Sequence, residues 1–231
     1  MKEVIPSGVR EAIYHSLSKR GEGIRSLMGH GILSEGGFGS KKGEVVILVR
    51  RPLDFRIDFP TDFGAFERQI ASSGGTLTVV WPDRYFRGVG TREQISRVLS
   101  IPLTPDEIVP YLLTAIPLDA AEEYKTQSDG KGLYRLTGLR NRVVVRGPVP
   151  WEEGGDYLPI EVTVIDLDDS TEFRVRYEDY RSSPVPFPHK IQVDFEGRHF
   201  SLILDDLEVN PPLKQELFEL AIPEGAERLY D

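Results

Sequence analysis

The chain has 231 residues and a formal net charge of −9, with 37 acidic and 28 basic side chains. This length allows one large domain or two small ones, and the acidic balance argues against nucleic acid as a partner. The chain contains no cysteine, which excludes disulfides and thiolate metal sites. No run of residues approaches the roughly 20 apolar residues that a membrane-spanning helix needs.

The first predicted element is an amphipathic helix at residues 7–20. Its apolar residues recur every four positions, Ser7 is suited to the N-cap, and Gly21 ends the pattern. Short links rich in Gly, Pro and Asp follow, and they favour an antiparallel meander because parallel strands need crossovers of a dozen or more residues. The strands of this meander are predicted near 24–34, 43–51, 52–60, 65–73, 76–82 and 84–89.

The stretch RRPLDFRIDF at 50–59 alternates between apolar and charged residues, which is typical of a strand with two different faces. One face carries Leu53, Phe55, Ile57 and Phe59. The other face carries Asp54, Arg56 and Asp58. The apolar face must therefore lie against a packed core or border a hollow that accepts an apolar ligand.

Residues 91–125 form the only later stretch with a helical pattern. Capping boxes that begin at Thr91 and Thr104 mark two helix starts, and Pro110 predicts that the second helix is kinked or split. We interpret this segment as a helical cover. A second series of strands is then predicted near 132–138, 142–147, 159–167, 172–180, 188–195, 199–208 and 216–222.

No motif predicts an enzyme, a cofactor or a metal site. The glycine-rich loop at 36–43 lacks the Gly-Lys-Ser/Thr order of a phosphate loop and precedes a strand. His189 and His199 lie on facing strands of a predicted hairpin but out of register, so they are not expected to share a metal. A hydrolase would require a polar cluster with a perturbed acid or base, and the sequence does not select one.

A basic cluster stands out in this acidic chain. It comprises Arg135, Arg140, Arg142 and Arg146. The simpler interpretation is a solvated strand face, and the alternative is a local patch for phosphate or anionic lipid. The sequence leaves both interpretations open.

About a dozen strands with one apolar face predict a wide sheet that curls towards a barrel. Only the helix at 7–20 and the segment at 91–125 are available to cover it, and each helix shields a strip roughly 10 Å wide. We therefore predict an apolar cavity, with a core filled by aromatic side chains as the alternative. The predicted lining residues are Leu53, Phe55, Ile57, Phe59, Leu77, Val79, Trp81, Phe86, Leu99, Ile108 and Leu112.

Several loose motifs resemble those of one family. An RP-x-x-x-R motif comprises Arg51, Pro52 and Arg56, and an F-x-L-x-x-P-x-G motif comprises Phe218, Leu220, Pro223 and Gly225. Together with YFRG and IPLTPDEI, they resemble the bacterial lipoprotein-localisation family of LolA/LolB-like proteins, which includes a periplasmic carrier and an outer-membrane receptor. The likeness is greatest to receptor-type relatives with an extra helical insert.

The resemblance implies an α+β, mainly β fold: an open antiparallel half-barrel of about eleven strands with a helical lid, formed by residues 1–231 as a single domain. It also implies a periplasmic or outer-membrane-anchored location, while a cytoplasmic location stays open because the start MKEVIPSGVR has no apolar leader. In receptor-type members an apolar residue protrudes from the loop between the third and fourth strands. Phe63 matches that position, unless it folds back onto the sheet edge.

The predicted function is therefore non-catalytic binding and transfer of lipoprotein acyl chains or free lipid in an apolar cavity. The expected partners are an acylated lipoprotein or lipid and a membrane surface, with no nucleic acid, and the protein is expected to be a monomer without a cofactor. The alternative is a scaffolding or interaction module of the cell envelope with a filled interior.

Overall fold

The computed structural model describes residues 5–36, 41–61, 65–99, 103–116, 118, 124–139, 141–149, 156–165, 172–182 and 185–229. The helices in these residues are α1 (Ser7–Gly23), α2 (Arg92–Leu99), α3 (Pro105–Leu112) and a short 3-10 helix, η1 (Gln215–Phe218). The strands of the first half are β1 (Ser26–Gly36), β2 (Lys41–Arg50), β3 (Asp54–Pro60), β4 (Phe66–Ser73), β5 (Thr76–Val80) and β6 (Arg84–Val89). Those of the second half are β7 (Lys125–Ser128), β8 (Leu133–Thr137), β9 (Asn141–Val149), β10 (Asp156–Ile165), β11 (Glu172–Arg181), β12 (Phe187–Phe195), β13 (Arg198–Val209) and β14 (Glu227–Arg228).

The strands form one open sheet in the order β14-β6-β5-β4-β3-β2-β1-β13-β12-β11-β10-β9-β8-β7. The predicted mainly β class is therefore confirmed, but the described residues contain fourteen strands rather than eleven. Two of these strands gave no sequence signal, because β7 (KTQS) lacks apolar alternation and β14 has only two residues. The strand predicted at 216–222 is wrong: η1 and an irregular segment occupy this region.

Among its described residues, the helical segment predicted at 91–125 contains two short helices, α2 and α3, which agrees with the two predicted helix starts. The capping box at α3 is confirmed, since Glu107 accepts a hydrogen bond from the backbone of Thr104 at 2.8 Å. Pro110 lies inside α3, which ends two residues later. Thr114 then adopts a positive φ of 53°, a conformation that cannot continue a right-handed helix.

The contacts divide the chain into two compact units. Unit 1 comprises the described residues within 1–23, 35–40 and 114–202, and unit 2 comprises those within 24–34, 41–113 and 203–231. The expectation of a single domain over 1–231 stays a prediction.

The core of unit 1 lies between α1 and one face of its strands. α1 packs against β10, and Ser16 accepts a hydrogen bond from the backbone N–H of Tyr157 at 3.1 Å. The helix buries Ile13 and Leu17. The strand register then aligns four buried apolar side chains across β8 to β11: Leu136, Val143, Val162 and Val175.

Arg20 fixes the C-terminal end of α1 within unit 1. Its Nε donates to the hydroxyl of Thr114 and its Nη2 to the carbonyl of Pro186, each at 2.7 Å. The guanidinium also lies over the rings of Tyr180 and Phe187, at 5.7 and 5.9 Å. Burial raises the pKa of the Tyr180 hydroxyl far above its ordinary value, so this contact is made to a neutral phenol.

Unit 2 contains the meander β2 to β6, whose strands pair antiparallel with their sequence neighbours. Next to it, β1 and β13 approach closely at Gly31. A Cβ atom on this glycine would lie 2.0 Å from the carbonyl oxygen of Ile203. Only glycine fits this crossing, because the obstructing atom belongs to the backbone.

Candidate functional site

The predicted cavity wall forms one face of the meander in unit 2. Residues paired in register across a sheet point to the same side. The register of β3 to β6 aligns Ile57, Ile70, Val79 and Phe86. Two positions further along, Phe55 of β3 and Leu77 of β5 lie on the same face, and Ser72 of β4 lies between them. The structure therefore brings together the predicted strand residues as one apolar surface, here called the apolar wall.

Exposure divides the predicted lining residues into two groups. One group is buried by the protein itself: Phe55, Leu77, Val79, Phe86 and Ile108. The other group is half-buried: Leu53, Ile57, Phe59, Trp81 and Leu112. Leu53 precedes β3 in a turn, so it is not part of the strand as predicted. Phe63 and the side chain of Leu99 lie outside the described part of the structure.

Two helices are placed over the apolar wall. α3 packs against β2 and β3 and buries Ile108 and Val109. Arg92 of α2 forms an ion pair with Glu107 of α3 at 2.9 Å. Arg68, which is paired with Phe59 on the wall side of β4, donates to the carbonyl of Val98 in α2 at 3.3 Å. These contacts join both helices to the same region of unit 2.

Cations lie on aromatic rings at one end of the apolar wall. The guanidinium of Arg68 is 4.4 Å from the ring centroid of Phe59, and that of Arg84 is 5.4 Å from Trp81. Such contacts between a cation and an aromatic face are attractive. The wall therefore ends in an amphipathic margin, where apolar rings and positive charges are presented together.

The opposite face of β3 carries two buried ion pairs. Asp54 accepts from Arg50 Nη2 at 2.6 Å and from the backbone N–H of Gly74 at 2.8 Å. Asp58 accepts from Arg56 Nε at 2.9 Å. Each carboxylate is thus buried together with a cation, which is the arrangement that makes buried charge tolerable.

The C-terminal segment covers these ion pairs. Arg50 donates to the carbonyl of Leu213 at 2.8 Å, and Arg56 donates to that of Leu217 at 2.9 Å. The Arg50 guanidinium also lies 4.9 Å from the ring centroid of Phe218. The two motifs that carry the family resemblance, at residues 51–56 and 218–225, therefore meet in the folded chain.

A concave feature of about 600 Å³ lies in unit 1 on β8 to β11. We call it the arginine groove. Apolar atoms of Val144, Leu158 and Ile160 line it, together with the cationic side chains of Arg135 and Arg146. It lies on the strand face of Val144 and Glu161, not on the face that α1 covers.

The arginine groove was not predicted, although the spacing of arginines in the sequence indicates a basic strand face. Arginine recurs at even spacings on the two strands that flank β10, at 142 and 146 of β9 and at 174 and 176 of β11. Period-two spacing places these side chains on one face. The basic cluster was noticed, but the sequence could not reveal that β10 places apolar side chains beside it.

Asp194 is one of the carboxylates in unit 1 whose pKa is lowered. Burial alone would raise the pKa of Asp194, but hydrogen bonds from His199 and Arg176 outweigh it and hold the pKa below its ordinary value. His199 Nδ1 lies 2.7 Å from the carboxylate, and Arg176 Nη2 lies 2.5 Å from it. The contact between His199 and Asp194 spans the predicted hairpin. Its turn residues, Glu196 and Gly197, both have positive φ, as such a two-residue turn requires.

This shift predicts an acid-dependent loss of stability. Because the folded pKa of Asp194 is depressed, its contribution is present above the unfolded pKa of about 3.9 and is lost as the pH falls through the folded value. We expect the free energy of unfolding of Asp194→Asn to fall less steeply than that of the wild type below about pH 5. Urea unfolding as a function of pH measures this, with the exposed Asp205→Asn as the control. Parallel curves for Asp194→Asn and the wild type would contradict the assignment.

Two features, a metal site and a membrane-spanning helix, are absent from the described residues. In the described ranges, no group of three or more His, Asp or Glu side chains is placed to hold a metal ion. No helix among the described residues is long and apolar enough to cross a membrane.

Comparison with solved structures places this fold. A LolA-superfamily protein from Nitrosomonas europaea is similar, with a TM-score of 0.58, 12% identity, and coverage of 89% of this chain and 97% of that one. A domain from Vibrio parahaemolyticus that is named for outer-membrane lipoprotein sorting is similar at a TM-score of 0.59 and 11% identity, covering 89% and 94%. A DUF1329 family protein from Desulfovibrio piger is similar at a TM-score of 0.59 and 15% identity, covering 90% and 97%.

No family model matches the sequence, and no curated protein matches it. The structural likeness therefore carries the comparison. The chain shares its fold with the LolA-superfamily protein from Nitrosomonas europaea, which agrees with the mainly β fold that the motif resemblance implied.

Proposed function

We propose that this protein binds the acyl chains of lipoproteins or free lipid against the apolar wall of unit 2 and transfers them to a partner. The observation that carries the proposal is that the wall and the helix beside it both keep apolar atoms accessible. Ile57, Phe59 and Trp81 on the wall and Leu112 on α3 are only half-buried, so a hydrocarbon chain can contact them without unfolding the strands.

The fold supports the same proposal. One protein of this fold is a LolA-superfamily member, and another is named for outer-membrane lipoprotein sorting. We carry that role over to this chain as a non-enzymatic carrier or receptor. Its proposed location is the periplasm or the outer membrane, and Phe63 is proposed to contact cargo or membrane.

The proposed mechanism is exchange of apolar contacts. Five predicted lining residues are already buried by the protein, so a bound acyl chain must replace part of the cover that α3 provides. α2 and α3 are joined by the ion pair between Arg92 and Glu107 and move together in this scheme. Affinity then comes from burial, at about 0.8 kcal/mol for each methylene group, and few polar contacts are needed.

The test is the dependence of affinity on chain length. Saturated fatty acids from octanoate to palmitate compete with a fluorescent fatty acid for the purified protein. We expect the affinity to rise with each added methylene by up to about fourfold. Absence of binding, or an affinity independent of chain length, would overturn the proposal.

A pair of substitutions locates the binding surface. Leu112→Asn places an amide on the half-buried cover, and we expect it to weaken fatty-acid binding about tenfold because a polar group is then buried against hydrocarbon. Leu139→Asn is the matched control, since Leu139 is 75% exposed and lies in unit 1. Equal effects of the two changes on binding would place the ligand elsewhere.

A second candidate function rests on the buried half of the wall. Phe55, Leu77 and Val79 are each fully buried, as expected of a filled core, and this favours a scaffolding or interaction module of the cell envelope. The same competition experiment separates the two candidates. A carrier displaces the fluorescent fatty acid according to chain length, whereas a module with a filled core does not bind the probe.

A further inference from the structure

The arginine groove of unit 1 combines an apolar lining with positive charge. Val144, Leu158 and Ile160 supply the apolar atoms, and Arg135 and Arg146 flank Val144 in the sheet register: Arg135 pairs with Val144, and Arg146 with Leu158. Its volume of about 600 Å³ lies within the ordinary range of small-ligand sites.

Two of the three arginines in the groove lack counterions among the described residues. Arg135 and Arg146 are exposed, and neither forms an ion pair or a side-chain hydrogen bond with any part of the chain that the structure describes. Arg176, which also lines the groove, is instead bound to Asp194 at 2.5 Å. Two guanidinium groups are therefore available to an external anion.

The carboxylates of the groove do not neutralise these two cations. Glu178 is paired with Lys190 and Asp179 with Arg181, each at 2.6 Å. Glu161 is the remaining carboxylate in the lining, and it forms no ion pair with the described residues. Two unpaired cations against one unpaired carboxylate leave the groove locally positive in a chain whose net charge is −9.

We propose that the arginine groove binds the phosphate headgroup of an anionic phospholipid, with the first carbons of the lipid on its apolar lining. The unpaired guanidinium groups of Arg135 and Arg146 match a phosphate in charge and hydrogen-bonding geometry. The apolar atoms of Val144 and Ile160, which are only half-buried, distinguish a lipid from a free anion, because a free anion would leave them in contact with water. A nucleic-acid backbone, the other large phosphate-bearing partner, carries no hydrocarbon chains beside its phosphates and would leave the same atoms in contact with water.

The first experiment measures partitioning to vesicles. Full-length protein is sedimented with vesicles of phosphatidylcholine alone or containing about one third phosphatidylglycerol, and Arg135→Gln/Arg146→Gln is compared with the wild type. We expect the double variant to bind the anionic vesicles about 25-fold more weakly, about fivefold for each arginine. Binding to neutral vesicles should be weak for both proteins.

The matched control removes the same charge elsewhere. Arg10→Gln/Arg25→Gln replaces two exposed arginines outside the groove, and it should bind anionic vesicles as the wild type does. Equal losses in the two double variants would show that only net charge matters and would overturn the site. Unfolding curves of both variants confirm that the fold is retained.

The second experiment separates a lipid headgroup from a free phosphate. Monomeric dihexanoyl phosphatidylglycerol, dihexanoyl phosphatidylcholine and inorganic phosphate are titrated into the protein and followed by NMR shifts of residues lining the groove. The proposal requires the anionic lipid to bind more tightly than either other compound. Binding of phosphate as tightly as the anionic lipid, or no shift in the groove with any compound, would overturn it.

This proposal does not depend on acyl-chain binding in unit 2. The groove is formed by unit 1 residues alone, and Arg135→Gln/Arg146→Gln should leave competition by fatty acids unchanged. Failure of the vesicle experiment would therefore overturn the arginine-groove proposal alone, and failure of the fatty-acid competition would overturn the acyl-chain proposal alone.

Discussion

Replacing Gly31 by alanine is expected to lower the free energy of unfolding by about 3 kcal/mol or more. The added Cβ would lie 2.0 Å from the carbonyl oxygen of Ile203 and 2.9 Å from its carbonyl carbon. A flexible side chain could turn away from such an atom, but a backbone carbonyl can move only if β1 and β13 separate. Denaturant unfolding followed by circular dichroism measures the loss.

Gly43→Ala is the matched control for this substitution. Gly43 also lies in a strand, and a Cβ on it would meet no atom within 4 Å. We expect its stability to stay within about 0.5 kcal/mol of the wild type. If the two variants unfolded at the same denaturant concentration, the close approach of the two backbones would not explain why residue 31 is a glycine.

The second large effect is expected for Asp54→Ala, which should lower the free energy of unfolding by about 2–4 kcal/mol. Its carboxylate is 5% exposed and accepts hydrogen bonds from Arg50 and from the backbone of Gly74. Without it, the partly buried Arg50 guanidinium loses its anionic partner, and the backbone N–H of Gly74 loses its acceptor. The C-terminal segment that Arg50 binds through Leu213 should loosen as well.

Asp83→Ala provides the comparison for the Asp54 variant. The Asp83 side chain is 80% exposed and lies 3.9 Å from Arg84, so its removal should cost less than about 0.5 kcal/mol. Chemical denaturation of both variants at one pH gives the two values. Hydrogen exchange of residues 213–220 should accelerate in Asp54→Ala only. Unchanged exchange in this variant would show that the ion pair does not hold the C-terminal segment in place.

The strands and their faces followed from local sequence. Alternation at 53–59 predicted a two-faced strand, and the register of β3 confirms that Phe55 and Ile57 share one face while Asp58 lies on the other. Alternation is a local property of the chain, so it can be recognised without the rest of the fold. The same reasoning explains the confirmed start of α3, whose capping residues are only three positions apart.

The contacts between distant segments could not be predicted. The charged face of β3 is covered by residues more than 160 positions away, as in the bond from Arg56 to Leu217. Within the strand predicted at 216–222, the chain instead forms η1 and an irregular segment, and the carbonyl of Leu217 accepts from Arg56. The arginine groove was missed for a similar reason, because it requires β10 beside β9.

Among the described strands, the two at the edges of the sheet, β7 and β14, are the shortest. β7 has four polar residues, and β14 has only a glutamate and an arginine. An edge strand exposes unpaired N–H and C=O groups that can recruit a strand from another molecule, and short charged edges offer little template for it. We therefore expect this wide sheet to resist growth by addition of further copies, the kind of growth that leads to fibrous aggregation.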